Sequence, residues 1–192
     1  MTLDLKTVGR FTRKFLPRRY LRVTELVHRA TPLGMGFGKT RFASPVDAFK
    51  LLYIGEDLAT AIAETIIRDR FEGRTAREIS EGEITKWGAA EIDATTPLRL
   101  LDLRGDACFQ LNVSTDIVGA KGQDEAQAFS HSVYDETDLD GILYHSRLRK
   151  RKNCIAVYDR AVTSLSASGV DELVTLPKLV PALRVLRVAV IT

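Results

Sequence analysis

Leu51–Leu52–Tyr53–Ile54–Gly55–Glu56–Asp57–Leu58–Ala59–Thr60–Ala61–Ile62–Ala63–Glu64–Thr65–Ile66 contains the change of period on which the fold turns. Its first four residues form a short apolar run closed by a glycine, the pattern of a buried strand. From Asp57 onward, Leu58, Ala61, Ile62, Thr65 and Ile66 recur at helical spacing. The Asp57 side chain can accept a hydrogen bond from a free amide of the first turn. The spacing therefore predicts an amphipathic helix over residues 57–71 that ends near Gly73.

Upstream of this stretch, Tyr20–Thr24 alternates and is rich in strand formers, and Gly34–Met35–Gly36–Phe37–Gly38 is a flexible loop leading to Lys39–Thr40–Arg41–Phe42. Downstream, Glu83–Ile92, Leu98–Leu103, Gly141–Tyr144, Ile155–Tyr158 and Leu183–Ile191 read as strands. Asp124–Tyr134 favours a helix, and Leu173–Leu179 a short one. Strands outnumber helices and often follow one another without a long crossover. That predicts an α+β fold with largely antiparallel or mixed pairing, not a doubly wound parallel sheet. With no repeat and no low-complexity linker, residues 1–192 are expected to form a single domain.

Hydrophobic residues make up 45% of the chain and charged residues 28%, the balance of a soluble globular protein, here expected to be cytoplasmic. No stretch approaches the ~20 consecutive apolar residues of a membrane-spanning helix. Cys108 and Cys154 give no disulfide framework and read as buried free thiols. His28, His131 and His145 are scattered, and neither Cys-x-x-Cys nor His-Glu-x-x-His spacing occurs, so no metal site is expected.

The net charge is only +3, but the positives cluster. Lys6, Arg10, Arg13, Lys14, Arg18, Arg19 and Arg22 accumulate without an acid between Asp4 and Glu25, and Arg147, Arg149, Lys150, Arg151 and Lys152 form a second group. Such blocks can face phosphates, an acidic partner or simply solvent. The first run leads straight into Tyr20–Thr24 without a small-residue cleavage site, so it is expected to belong to the mature fold.

Two glycine motifs fail on spacing. Gly38–Lys39–Thr40 lacks the glycine five positions before Gly38, where Leu33 stands, and Pro45 follows where a phosphate loop would open a helix. Gly34-x-Gly36-x-Gly38 misses the dinucleotide spacing. No Gly-x-Ser-x-Gly occurs for a serine hydrolase.

What remains is an ordered set: Arg22 in a strand, Arg41–Phe42 after the glycine loop, Tyr53 near a strand end, Glu64 on the next helix, and Ser146 after Gly141–His145. Nearly every neighbour of Glu64 is small or apolar, and a carboxylate so placed must be paired, neutral or functional. Helical spacing alone also allows it on an exposed face. Tyr53 can equally be a core aromatic, Ser146 a turn residue, and Phe42 a packing residue more than a contact.

This set resembles the RES domain, a family of bacterial toxins named for an arginine, a glutamate and a serine. The resemblance is carried by Leu21–Arg22–Val23, Arg41–Phe42, Leu52–Glu64 and Asp140–Gly141–Ile142–Leu143–Tyr144–His145–Ser146, in order across most of the chain. The family's Gly-Gly-Arg-Trp-like string departs here to Gly38–Lys39–Thr40–Arg41–Phe42, which keeps a cation and an aromatic. The resemblance implies an ADP-ribosyltransferase-like fold and NAD as substrate, consumed or used to transfer ADP-ribose to a protein acceptor. It also implies an Xre-like antitoxin partner that covers the active site. On it, Glu64, Arg41 and Tyr53 would be catalytic, and Arg22, Phe42 and Ser146 would contact NAD.

The chemistry agrees with those roles. Cleaving the nicotinamide–ribose bond develops positive charge on the ribose, which a nearby carboxylate stabilises. An arginine fork suits a pyrophosphate. The competing class is a basic nucleic-acid-binding module, motivated by the two positive clusters. One Trp, no interleaved aromatic–basic stripe and a modest net charge argue against it.

Overall fold

The computed structural model describes residues 2–68, 70–71, 74–119 and 122–192. Its strands are β1 (Thr12–Phe15), β2 (Tyr20–Glu25), β3 (Leu51–Gly55), β4 (Glu78–Ser80), β5 (Trp87–Ala94), β6 (Leu98–Asp102), β7 (Gly141–His145), β8 (Asn153–Tyr158), β9 (Leu165–Ala167), β10 (Asp171–Glu172) and β11 (Ala189–Ile191). The helices are α1 (Leu5–Phe11), α2 (Leu58–Ile62), α3 (Glu81–Ile84), α4 (Ala107–Gln110), α5 (Asp116–Gly119), α6 (Asp124–Glu136) and α7 (Leu179–Leu186). The expected α+β class is what is found. The main sheet runs β1-β6-β7-β8-β3-β2-β5-β10, with β9 also on β5. Its pairings are antiparallel except β6 with β7, whose crossover carries α4, α5 and α6.

One weak joint divides this sheet. β2 pairs β5 over six residues and β3 pairs β8 over five, but β2 meets β3 only at Leu21 opposite Gly55. Beyond that pair the strands part, and Arg22 and Val23 of β2 face Leu51 and Tyr53 of β3 across a cleft. Gly55 also lets the next helix approach, since a Cβ there would lie 3.0 Å from the Ala61 amide.

Helices cover the two halves separately. Phe129 and Val133 of α6 join Phe49, Tyr144 and Tyr158 in one core, whereas Ile62 and Ile66 join Leu183 and Leu186 of α7 over Val23 and Ala89 in another. Leu52, Ile54, Ile92, Leu143, Ile155 and Val157 form a third core, built largely from strands. Both cysteines are buried free thiols, as their apolar context predicts.

The helix expected over 57–71 begins as expected: the Asp57 carboxylate accepts from the Thr60 amide at 2.7 Å. After Ile62 it widens into a π turn, Ala63–Ile67, with the Arg68 N–H bonding to the Ala63 carbonyl five residues back at 2.8 Å. Its expected end near Gly73 lies outside the described residues. Three other expectations are corrected. Glu83–Ile92 is not one strand, because α3 occupies Glu81–Ile84 and β5 starts only at Trp87. Leu183–Ile191 is not a strand either, since Leu179, Ala182, Leu183 and Leu186 are buried at helical spacing in α7. Arg187 then ends the helix with a left-handed φ of 53°, leaving only Ala189–Ile191 extended. Leu173–Leu179 holds a single 3₁₀ turn, Leu173–Thr175, before α7 begins.

Candidate active site

The cleft between β2 and β3 is a cavity of about 230 Å³, and five of its lining residues are charged: Arg22, Arg41, Glu64, Arg68 and Arg147. The π turn explains how the carboxylate arrives there. It buries Ala63, Ile66 and Ile67 against the core and presents both Glu64 and Thr65 to the cavity. Widened turns of this kind concentrate at functional sites because they re-aim side chains without breaking the helix.

Ser146 lies on the loop after β7 and is 3% exposed. Its hydroxyl donates to Glu64 Oε1 at 2.5 Å and accepts from the amides of Arg149 and Leu148 at 3.0 and 3.2 Å. Ser146 is thus both the turn residue that a lone serine usually is and the group that fixes the carboxylate. It does not line the cavity, so its role is on Glu64 and not in direct ligand contact.

The loop bearing Ser146 is itself clamped to the turn before α2. Arg149 donates to Asp57 Oδ1 at 2.7 Å, Lys152 reaches Glu56 at 2.7 Å and Asp57 at 3.2 Å, and the Asn153 amide donates to Glu56 at 2.7 Å. Burial alone would raise the Asp57 carboxyl. Hydrogen bonds from Thr60 and Lys152 and the Arg149 charge outweigh it and hold the group below its ordinary value. Two of the five members of the second basic cluster, Arg149 and Lys152, are therefore held in structural ion pairs, and another, Arg147, lines the cleft. The roles of Glu56, Arg149 and Lys152 escaped the sequence because their partners lie more than ninety residues away.

Arg22 donates to the Pro32 carbonyl at 2.6 Å, and burial lowers its pKa from the usual guanidinium value. Arg41 donates to the Ile117 carbonyl at 3.2 Å. Its pKa is lowered by burial and by the like charges of Arg147 and Arg68, with Tyr144 and Glu64 opposing. Concentrating cations in a partly desolvated cleft costs stability, and an anionic ligand offsets it.

Tyr53 also lines the cavity, and burial raises its pKa. Its hydroxyl accepts from the Phe42 amide and from Thr40 Oγ1, both at 3.0 Å, so it pins the segment carrying Arg41. Phe42, like Ser146, does not line the cavity. It is fully buried, packed edge-on against Tyr144 at 5.1 Å between ring centroids, because its backbone is held to Tyr53 with the ring turned into the core. Arg68, four residues after Glu64, and Gln123 at the start of α6 also line the cavity, and the ordered set read from the sequence does not contain them. The i,i+4 spacing of Arg68 from Glu64 was the signal for the first.

Among the described residues no group of three or more His, Cys, Asp or Glu is placed to hold a metal ion, and no helix is long and apolar enough to cross a membrane. A largely antiparallel sheet opening at one joint, with a serine-held carboxylate among arginines in the gap, defines an α+β protein with a cationic, carboxylate-bearing cleft. The RES domain model matches residues 17–177, and the chain belongs to that family. The fold is also that of a chain in the crystal structure of the M. tuberculosis MbcT–MbcA toxin–antitoxin complex. The TM-score is 0.69 at 17% identity, over 94% of this chain and 96% of that one. Comparison with curated proteins found no match.

Proposed function

We propose that this protein is the toxin of a toxin–antitoxin pair and that it consumes NAD by cleaving the nicotinamide–ribose bond. The observation that carries the proposal is Glu64 held by Ser146 in a cleft lined by four arginines. As the bond breaks, positive charge grows on the ribose, and a carboxylate already fixed in place stabilises it without reorganising. Nicotinamide leaves as a neutral group, so no second carboxyl is needed as an acid, unlike the usual glycosidase pair. Arg22 and Arg41 hold the pyrophosphate, Tyr53 keeps the Arg41 segment in place and faces the nicotinamide end, and Ser146 acts through Glu64.

The RES family match supports this assignment, and so does the neighbouring fold's place in a toxin–antitoxin complex. By the same analogy, an Xre-like antitoxin covers the cleft in the cytoplasm. The test is nicotinamide release from NAD by the purified chain. Release well above that of Glu64→Gln is expected, and equal release by the two would reject the proposal. Labelled NAD in lysate then separates the acceptors: free ADP-ribose marks hydrolysis, and a discrete labelled band marks transfer to a protein.

A further inference from the structure

The cleft of about 230 Å³ is small for the whole of a dinucleotide, since small-molecule sites usually measure about 300–1,000 Å³. A second cavity of about 560 Å³ adjoins it and shares Gln123. The ridge between them is the segment 38–41: Thr40 and Arg41 face the first cavity, and Gly38 and Lys39 face the second. That ridge is held on both sides, by the Tyr53 hydroxyl and by Gln127, whose side-chain amide donates to the Thr40 carbonyl at 3.1 Å.

The second cavity has its own chemistry. Phe37 leaves 54% of its surface exposed at the cavity wall, and Asp47 and Asp124 offer carboxylates beside it. Gln123 lines both cavities, and its Oε1 is buried with no hydrogen-bond partner among the described residues. Buried polar atoms are nearly always satisfied, so an orphan shared by two cavities points to a ligand group that completes it. A glutamine amide carries both an acceptor oxygen and a donor nitrogen and can turn about its last bond, so either a donor or an acceptor on the ligand can do so.

Resting on the NAD assignment, we propose that this second cavity is the subsite for the adenosine half. Adenine stacks on Phe37, a carboxylate of Asp47 or Asp124 accepts from the ribose hydroxyls, and the Gln123 amide bonds to the ligand where it crosses the ridge. Stacking of a base on an exposed ring is a general source of affinity that requires no prior pocket closure.

Adenosine monophosphate tests this subsite without turnover, because it carries the adenosine half and no scissile bond. Calorimetric titration into the full-length chain is expected to give saturable binding, weakened about tenfold by Phe37→Ala and largely restored by Phe37→Tyr. Circular dichroism confirms that each variant is folded. Equal affinity of wild type and Phe37→Ala overturns the proposal, as does absence of binding to wild type at millimolar nucleotide. Nicotinamide release from NAD, measured on the same preparation, reports the catalytic assignment separately. A chain that releases nicotinamide but ignores the Phe37 change loses only the subsite.

Discussion

Ser146 Oγ and Glu64 Oε1 lie 2.5 Å apart across 82 residues of sequence, a contact at the short end of hydroxyl–carboxylate hydrogen bonds. It joins the loop after β7 to the π turn after α2, so the carboxylate's position depends on both elements. Ser146→Ala is expected to lower kcat for nicotinamide release by about 10- to 100-fold, since each 1.4 kcal/mol of lost positioning is a factor of ten. KM should move by less than about threefold, because the arginines remain. A change confined to thermal stability, with kcat intact, would show that the serine serves only its turn.

Glu64→Gln separates catalysis from folding. The amide is nearly isosteric and still accepts from Ser146, so the melting temperature should stay within about 2 °C of wild type. Nicotinamide release should fall by roughly a thousandfold, because the full negative charge facing the developing cation is gone. Retained activity in this variant removes the carboxylate from the mechanism.

Tyr53→Phe tests the hydroxyl that pins the arginine segment. The Phe42 amide, in a fully buried residue, loses its acceptor, which costs about 1–3 kcal/mol. For a chain of this size, each kcal/mol lowers the midpoint by about 2–4 °C. Freed of its anchor, Arg41 should hold NAD less well, so KM rises more than kcat falls. An unchanged KM would mean that Arg41 is positioned by other contacts, such as its bond to the Ile117 carbonyl.

The local elements of the site were legible in the sequence and its long-range clamps were not. Asp57 at the start of a period-3.6 run reads directly as a cap, and the alternation of Tyr20–Thr24 reads directly as a strand, because both signals are complete within a few residues. The π turn has no such signature. It arises where burial of Ala63, Ile66 and Ile67 and exposure of Glu64 and Thr65 are satisfied together. The ion pairs of Glu56 and Asp57 with Lys152 and Arg149 join residues more than ninety positions apart, so nothing near the basic cluster in sequence announces its partners. Leu183–Ile191, whose first four residues belong to α7, reads as a strand in the sequence because Arg184 and Arg187 interrupt an apolar run that alternation and helical spacing both fit. The buried set Leu179, Ala182, Leu183 and Leu186 settles the period only once the core is known.

Acid should weaken the anchoring near the π turn. Glu83 accepts from Arg70 at 2.9 Å and from Lys86 at 3.0 Å, and these bonds hold its carboxyl at about 2, from an ordinary 4.5. A depressed carboxylate contributes stability that is present above its unfolded value and is lost as pH falls through the folded one. The loss therefore falls between about pH 4.5 and 2. Because both cations reach solvent, which screens the pairs, its size should be only about 0.5–1 kcal/mol. Denaturant titrations across that window should show a shallower pH slope for Glu83→Gln than for wild type. Identical slopes would mean that the pair is screened in solution.

Gly141 opens the strand that delivers Ser146, and its hydrogen atom occupies a place no carbon can take. A Cβ there would stand 2.2 Å from the Ala156 carbonyl oxygen and 3.1 Å from the Val157 Cα, both on the backbone of the neighbouring strand. β7 and β8 are central and almost wholly buried, so neither can retreat without disturbing the sheet on its far side. Gly141→Ala is therefore expected to destabilise the chain by about 3 kcal/mol or more, the upper range for overpacking a well-filled interior. It should also depress nicotinamide release in whatever fraction still folds, because a displaced β7 carries Ser146 away from Glu64. Chemical denaturation with a parallel activity assay checks both effects. A variant as stable as wild type, with full activity, would show that the two strands separate more easily than their packing implies.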